Sequence, residues 1–261
     1  AKRLGLRPRC VIAVDLFGQP ADYDAIHAIA APHGLTVIAD AAQSFGAWLN
    51  GRPVGALGHH TATSFYPTKP LSCYGDGGAI FTDDAGTADL LRSLRVHGQG
   101  RSKNDNIRVG LNSRLDTLQT AVLLEKLDVF PQEITARQDR ARRYSEALDD
   151  IVRVPALRAG ATSVWAQYTL VTQARDELVA LCRQAGIPAA VYYPVPLNAQ
   201  PGYRRFPATP TGLPNAEWLA EHVISLPIHA YLDDEAQDVI INTVRRGLET
   251  VEKVSLDAKY A

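Results

Sequence analysis

The sequence of 261 residues contains no methionine and only three cysteines, and its positive and negative charges nearly cancel. Cys10, Cys73 and Cys182 lie far apart and match no disulfide framework, which favours a reducing, cytoplasmic environment. Neither these cysteines nor the adjacent pair His59 and His60 predicts a metal site. The 27 basic and 28 acidic side chains give a net charge of -1, so neither a nucleic acid nor an anionic membrane is indicated as a partner. No apolar run approaches the roughly 18 residues of a membrane-spanning helix.

The first forty residues predict a β-α-β unit. Residues 10–16 form a continuous run rich in β-branched side chains, typical of a strand buried on both faces in a parallel sheet. Residues 22–33 carry a helical apolar stripe that Gly34 ends. Residues 35–39 form the next buried strand, which leads into Asp40. This order predicts a right-handed crossover and therefore a layered α/β domain.

The following segment predicts two more strands and two helices. The strands lie at residues 61–65 and 79–82, with a tight, glycine-rich turn at 75–78 between them. Residues 89–96 predict a helix. The next helix is capped by Ser113 and ended by Pro131. Its apolar side is predicted to carry four residues, namely Leu115, Leu118, Val122 and Leu127.

The character of the sequence changes after Pro131. A long charged helix over residues 133–148 predicts a solvent-facing connector. Shorter elements are predicted after it: a strand at 165–171 and helices at 176–185, 215–222 and 233–251. We therefore expect two domains, residues 1–130 and residues 131–261, with the long helix as a bridge.

Chemically informative residues follow the predicted strands. Asp40 comes directly after a buried strand, at the position where open α/β sheets bind their ligands. Ser64 and Lys69 follow in the order Ser-Phe-Tyr-Pro-Thr-Lys, before the glycine-rich turn. A lysine after a strand is usually a solvated loop residue, so Lys69 alone would indicate little.

Six separated motifs resemble the DegT/DnrJ/EryC1/StrS family of sugar aminotransferases. They are DAAQSFGA, SFYPTKPL, GDGGAIFT, HGQG, VGLNSRLDTLQTAVLLEKL and SLPIHAYLDDEAQDVI. The resemblance implies the fold type I of pyridoxal-phosphate enzymes, with a three-layer α/β/α large domain and a smaller α+β C-terminal domain. Within the family, the sequences of these motifs are most similar to those of enzymes that aminate 3-keto sugars of UDP-linked uronic acids.

The resemblance implies a pyridoxal 5'-phosphate site, with a pyridoxamine form during turnover. Asp40 matches the carboxylate that keeps the pyridine nitrogen protonated, so that the ring can act as an electron sink. Lys69 matches the catalytic Schiff-base lysine. Gln43 matches a residue that contacts the ring-side oxygen, and Ser64 matches a phosphate ligand. Ala42, between Asp40 and Gln43, is also assigned to the cofactor site.

The resemblance also implies a homodimer with shared active sites. Asn112 matches a phosphate ligand from the neighbouring subunit, although a helix-preceding cap is an alternative. Arg114 could meet an acidic substrate group, and an ordinary surface salt bridge is the competing interpretation. Tyr193 and Asn198 belong to a loop that resembles the substrate side. Many relatives have histidine where Asn198 stands, and asparagine cannot carry a charge near neutral pH, which leaves the sugar open.

The implied reaction is a ping-pong transamination in the biosynthesis of surface polysaccharides or natural-product glycans. An amino acid, usually glutamate in this family, donates the amino group, and a nucleotide-linked keto sugar accepts it. Two alternatives stay open. One is a sugar dehydratase, but relatives with that activity replace the lysine by histidine, whereas Lys69 is present. The other is a non-catalytic relative that serves as a binding or regulatory module.

The length of the chain gives a further expectation. The family's cofactor domain begins well before the predicted strand at residues 10–16, and residues 1–5 read as the end of a helix. No apolar stretch of signal-peptide length follows the basic residues at the start. We therefore expect a fragment of a longer enzyme that, in isolation, binds its cofactor weakly and turns over poorly.

Overall fold

The structure is a computed structural model. It describes the backbone of residues 5–260 and the side chains of residues 5–249. The chain divides into two compact units. The first extends to Ile134 and also includes Leu157–Ala166. The second contains Thr135–Ala156 and the chain from Gln167 onward. In the described part of the chain, no helix is both long and apolar enough to cross a membrane.

A four-stranded sheet forms the framework of the first unit. Three strands are parallel, and the fourth is antiparallel to its neighbour. Their order is β1-β2-β5-β6, and their bounds are Cys10–Val14 (β1), Thr36–Asp40 (β2), His60–Ser64 (β5) and Gly78–Phe81 (β6). Helix α1, Tyr23–Ala30, connects β1 to β2, begins with Asp22 as its cap and leads to Gly34. The predicted β-α-β order is confirmed.

The two faces of this sheet differ in burial. Ala13, Val37 and Ala39 are buried on one face together with residues of the following loops. On the other face, Ile12 is 62% exposed and Val14 is 50% exposed. The prediction that β1 is buried on both faces is therefore wrong for the described chain. Successive side chains of a strand point to opposite faces, and a continuous apolar run does not reveal which face is covered.

A short hairpin between β2 and β5 was not predicted from the sequence. It consists of β3, Trp48–Leu49, and β4, Arg52–Pro53, which pair in antiparallel register. Asn50 and Gly51 form the turn, with φ angles of 50° and 75°. Asn-Gly between two short strands is the strongest local hairpin signal, so this element could have been found.

The helices of the first unit correct several expectations. Helix α2 is Ala85–Leu94 and begins four residues earlier than predicted, because Asp84 caps it by accepting from the Thr87 amide. Helix α3 is Thr117–Leu148 and continues through Pro131. A proline inside a helix removes one backbone hydrogen bond, but the neighbouring Phe130 packs in the core and supports the continuous helix.

The predicted start of α3 is also wrong, and its predicted apolar side is correct only in part, since Leu115, just before the helix, packs against the core. Ser113 lies outside the helix, and the first helical turn closes instead between the Thr120 amide and the Asp116 carbonyl. Leu118 and Leu127 are exposed, whereas Leu123 and Phe130 are buried. The apolar sequence around Leu118 fits two helical phases, and only packing against the core selects one of them.

The second unit combines a two-stranded sheet with helices. Strand β7, Tyr168–Val171, pairs antiparallel with β8, Val223–Leu226, which was not predicted from the sequence. The helices are α4 (Arg175–Gln184), α5 (Pro214–His222) and α6 (Asp234–Tyr260), together with the end of α3. Tyr144, Tyr168, Leu170, Leu178 and Ile224 are among its fully buried side chains.

Candidate active site

Asp40 lies at the carboxyl end of a parallel strand. It is the last residue of β2, and its partially buried carboxylate accepts a hydrogen bond from the Ala42 amide over 3.1 Å. The chain then turns, because the Ala41 amide donates to the Ala62 carbonyl of β5 and the Phe45 amide donates back to Ala41. Asp40 is therefore held at the edge of the sheet formed by the carboxyl ends of its parallel strands, where α/β folds bind ligands.

Ser64 occupies the same face of the sheet. Asp40 pairs with Ala62, and Ser64 follows Ala62 by two residues on β5, so both polar side chains point to one side. Ser64 ends its strand, and its hydroxyl oxygen accepts from the Tyr66 amide over 3.2 Å.

Lys69 lies in the loop that follows Ser64. The loop is folded tightly, since the Lys69 amide donates to the Tyr66 carbonyl and the Cys73 amide donates to the Phe65 carbonyl, each over 2.8 Å. Leu71 and Cys73 are buried in the same core cluster as Phe65. Lys69 itself is partially buried, so the folded loop does not present it as a fully solvated side chain.

Helix α3 supports the far side of this loop. Gln119 accepts from the Tyr74 amide over 2.7 Å, and the Lys126 ammonium donates to the Ser72 hydroxyl over 3.2 Å. The predicted tight turn at residues 75–78 is different in the structure, because Gly78 already belongs to β6. At Gly77, a Cβ atom would lie 2.9 Å from the Cys73 sulfur, so close packing requires glycine there.

Gln43 is almost completely buried, at 7% exposure. Its Oε1 atom accepts from the Phe17 amide over 2.6 Å. The loop that carries Gln43 after β2 is thereby tied to the loop after β1. Beside this contact lies Asp15, a fully buried carboxylate that was not predicted from the sequence; it follows β1 directly, one position beyond Val14, which pairs with Asp40.

Asn112 and Arg114 lie on a different segment of the first unit. Both side chains are exposed, and Asn112 forms an isolated bridge with Val96. Asp40, Ser64 and Lys69 are called the sheet-edge group below. Within the described residues, no hydrogen bond connects Asn112 or Arg114 to this group.

The other predicted substrate residues belong to the second unit. The ring of Tyr193 lies 5.4 Å from that of Tyr192 and is half exposed. The Oδ1 atom of Asn198 is buried and has no hydrogen-bond partner within the described residues. Such an unsatisfied oxygen is a natural contact for a donor group on a ligand.

The sheet-edge residues fit a pyridoxal phosphate. A carboxylate suits a protonated ring nitrogen, a hydroxyl suits a phosphate and a partially buried amine suits an aldehyde. Asp40, Ser64 and Lys69 supply these three groups from one edge of one sheet. The described residues contain no cluster of three or more potential metal-binding side chains.

The DegT/DnrJ/EryC1/StrS aminotransferase family model matches residues 3–245. The chain belongs to this family. A curated relative, a UDP-2-acetamido-2-deoxy-3-oxo-D-glucuronate aminotransferase of Pseudomonas aeruginosa, is 47% identical over 235 residues, which cover 90% of this chain. A "pleiotropic regulatory protein" of Geobacillus stearothermophilus is 41% identical and covers 91% of the chain. The chain spans 64% and 65% of the lengths of these two relatives.

A solved structure of a family aminotransferase from Brucella abortus has a TM-score of 0.92 and 51% sequence identity. The match covers 95% of this chain and 66% of that one. The predicted family and the predicted α/β fold class are thus confirmed. The roles of individual site residues were predicted from resemblance, and they stay predictions.

Proposed function

We propose that this chain carries the catalytic lysine of a pyridoxal-phosphate-dependent aminotransferase that aminates a nucleotide-linked keto sugar. The observation that carries the proposal is the placement of Lys69 in a core-anchored loop after Ser64, on the sheet edge that also presents Asp40. Membership of an aminotransferase family supports it. An exposed, unanchored lysine would not have supported this chemistry.

Each sheet-edge residue has a definite task. Lys69 would hold the cofactor through its Nζ atom and would carry a proton to and from the amino donor. Asp40 would keep the proton on the ring nitrogen, Gln43 would contact the ring-side oxygen and Ser64 would bind the phosphate. Ala42 fixes Asp40 through its amide. The bound cofactor supplies an electron sink for the carbanion that this proton transfer produces.

The sugar is proposed from the relatives. The Pseudomonas relative is named for a UDP-linked 3-oxo-glucuronate, which favours a UDP-linked 3-keto sugar acid as the acceptor. Glutamate is proposed as the amino donor from the family resemblance. Arg114 is proposed to pair with an acidic group of the substrate. Tyr193 and the unsatisfied Asn198 Oδ1 are proposed as further substrate contacts. An uncharged Asn198 fits a hydroxyl or amide of the substrate.

A cytoplasmic homodimer with shared active sites is proposed as the working assembly. Asn112 is exposed and is not joined to the sheet-edge group, as expected of a residue that serves a neighbouring subunit. Val109, Leu111 and Leu118 lie near it in sequence and are 95%, 66% and 82% exposed. Apolar side chains this exposed favour a protein partner over water.

The domain assignment is likewise a proposal. Residues 1–130 are proposed as the C-terminal part of the large cofactor-binding domain of fold type I, because they contain the sheet and the sheet-edge group. Residues 131–261 are proposed as the small C-terminal domain with its bridging helix. Because the chain spans only 64% and 65% of the lengths of two relatives, we propose that it contributes to the activity of a longer enzyme.

Absorbance spectroscopy tests the proposal. With pyridoxal phosphate in excess, the wild-type chain is expected to develop a visible band that Lys69→Ala abolishes. Lys103→Ala, which removes an exposed lysine of the first unit, is the matched control and should keep the band. Equal spectra for wild type and Lys69→Ala would refute the proposed role of Lys69.

A regulatory function is the second candidate, favoured by the name of the Geobacillus relative. It predicts no amino transfer even when the chromophore forms. A glutamate-dependent assay against a panel of nucleotide-linked keto sugars, read by mass spectrometry, separates the two. Amino-sugar formation that depends on Lys69 supports the aminotransferase. A dehydrated sugar product would instead support the dehydratase alternative.

A further inference from the structure

Asp15 is a fully buried carboxylate for which the proposed reaction has no use. It follows β1 directly and is 0% exposed. Oδ1 accepts from the Ala21 amide over 2.9 Å and from the Tyr23 hydroxyl over 2.8 Å. Oδ2 accepts from the Ser44 hydroxyl over 2.6 Å. A buried charge with three donors is strongly fixed in position.

These hydrogen bonds connect two loops at the same edge of the sheet. Asp15 and Phe17 belong to the loop after β1, and Gln43 and Ser44 belong to the loop after β2. The loops meet twice, through Ser44 Oγ to Asp15 and through the Phe17 amide to Gln43 Oε1. The strands beneath are joined by the Asp15 amide and the Asp40 carbonyl, 3.0 Å apart.

Opposing effects act on the pKa of the Asp15 carboxyl group. Burial raises the pKa of Asp15, while the hydrogen bonds from Ser44, Ala21 and Tyr23 act in the opposite direction. Burial and the neighbouring Asp15 raise the pKa of Tyr23, so its phenol keeps the proton that it donates. Removing the Ser44 hydroxyl or the charge of Asp15 would weaken one of the two contacts between the loops, while the contact between Phe17 and Gln43 and the strand pairing remain.

We propose that Asp15 is a positioning residue that acts through Ser44. It holds the turn after β2 in the geometry in which Asp40 and Gln43 meet the cofactor ring. The inference rests on the proposed function, because the ring is the group that this turn would hold. Asp15 is not proposed to contact a reacting atom. Its effect reaches Asp40 and Gln43 through the hydrogen bond between Asp15 and Ser44.

Two variants and one control test the inference. Asp15→Asn keeps an acceptor for Ala21 and removes the charge, and Ser44→Ala removes only the hydroxyl that joins the loops. Asp24→Asn is the matched control, because Asp24 lies on α1, is exposed and pairs with Arg52. Ser44→Ala also guards against misfolding of Asp15→Asn, since it leaves the buried carboxylate with two donors.

Two readouts are compared in all four proteins. Hydrogen exchange of residues 41–46 should accelerate by about tenfold in both variants, because each loses a charge-assisted hydrogen bond. The dissociation constant of pyridoxal phosphate should rise by about tenfold, with a shifted visible absorbance maximum, while Asp24→Asn stays at the wild-type values.

The outcomes separate the inference from the proposed function. Variants with wild-type affinity and absorbance maximum would overturn the positioning role, even if their urea midpoints fell, because Asp15 would then be only structural. A wild-type chain without any visible band contradicts the proposed function itself. Altered affinity and spectrum in both variants, with accelerated exchange of the turn, support the inference.

Discussion

Gly18→Ala is expected to destabilise the first unit strongly. Gly18 has a φ of 107°, and a Cβ there would lie 2.8 Å from the backbone nitrogens of both Trp165 and Ala166. The unfavourable φ costs about 1–3 kcal/mol. Forcing backbone atoms apart costs about 1–3 kcal/mol more. We therefore expect the free energy of unfolding to fall by about 2–6 kcal/mol, a large part of the roughly 5–15 kcal/mol of a typical domain.

Gly34→Ala is the matched control for this prediction. Its φ is also positive, at 61°, but no atom lies within 4 Å of the position of the new Cβ. It should lose only about 1–2 kcal/mol through backbone strain. Urea unfolding, followed by tryptophan fluorescence, measures both variants through their midpoints. If Gly18→Ala is no less stable than Gly34→Ala, the close approach of Gly18 to Trp165 does not exist in the protein.

Two further predictions concern pH and assembly. The hydrogen bond from Arg245 holds the pKa of Asp150 below its usual 3.8, so this pair stabilises the fold above that pH and loses its effect as the pH falls through the lowered pKa. Asp150→Asn should therefore be less stable than wild type at pH 6. The urea midpoints of the two proteins should converge near pH 2. A difference that persists at pH 2 would show that the charge of Asp150 is not the cause. Leu118→Arg should weaken dimerisation by at least about tenfold, because a Leu side chain buried at an interface contributes about 1.5–3 kcal/mol. Sedimentation across a concentration series measures this, and an unchanged dimer would exclude Leu118 from the interface.

Local patterns allowed the strands and the sheet edge to be predicted. The β-branched runs marked β1 and β2, and the rule that ligands bind beyond the carboxyl ends of strands pointed to Asp40. Ser64 and Lys69 became meaningful through their order in the motif. The hairpin at Asn50 was missed although its turn residues are explicit.

Other features depend on contacts between distant parts of the chain. Pro131 was expected to end a helix, but Phe130 is buried in the core and the helix continues. Leu118 was expected to be buried but is exposed. The prediction failed because the spacing of apolar residues alone fits either side of α3. Asp15 was missed because its significance lies in Ser44, which is 29 residues away in sequence. A one-dimensional pattern does not contain these pairings.

The role of Lys69 is tested directly by locating the covalent attachment of pyridoxal phosphate. The chain is mixed with excess pyridoxal phosphate, reduced with borohydride, digested and mapped by mass spectrometry. A pyridoxyl group is expected on Lys69, with little on the exposed Lys103. Labelling spread evenly over the lysines, or the absence of a label on Lys69, would contradict it.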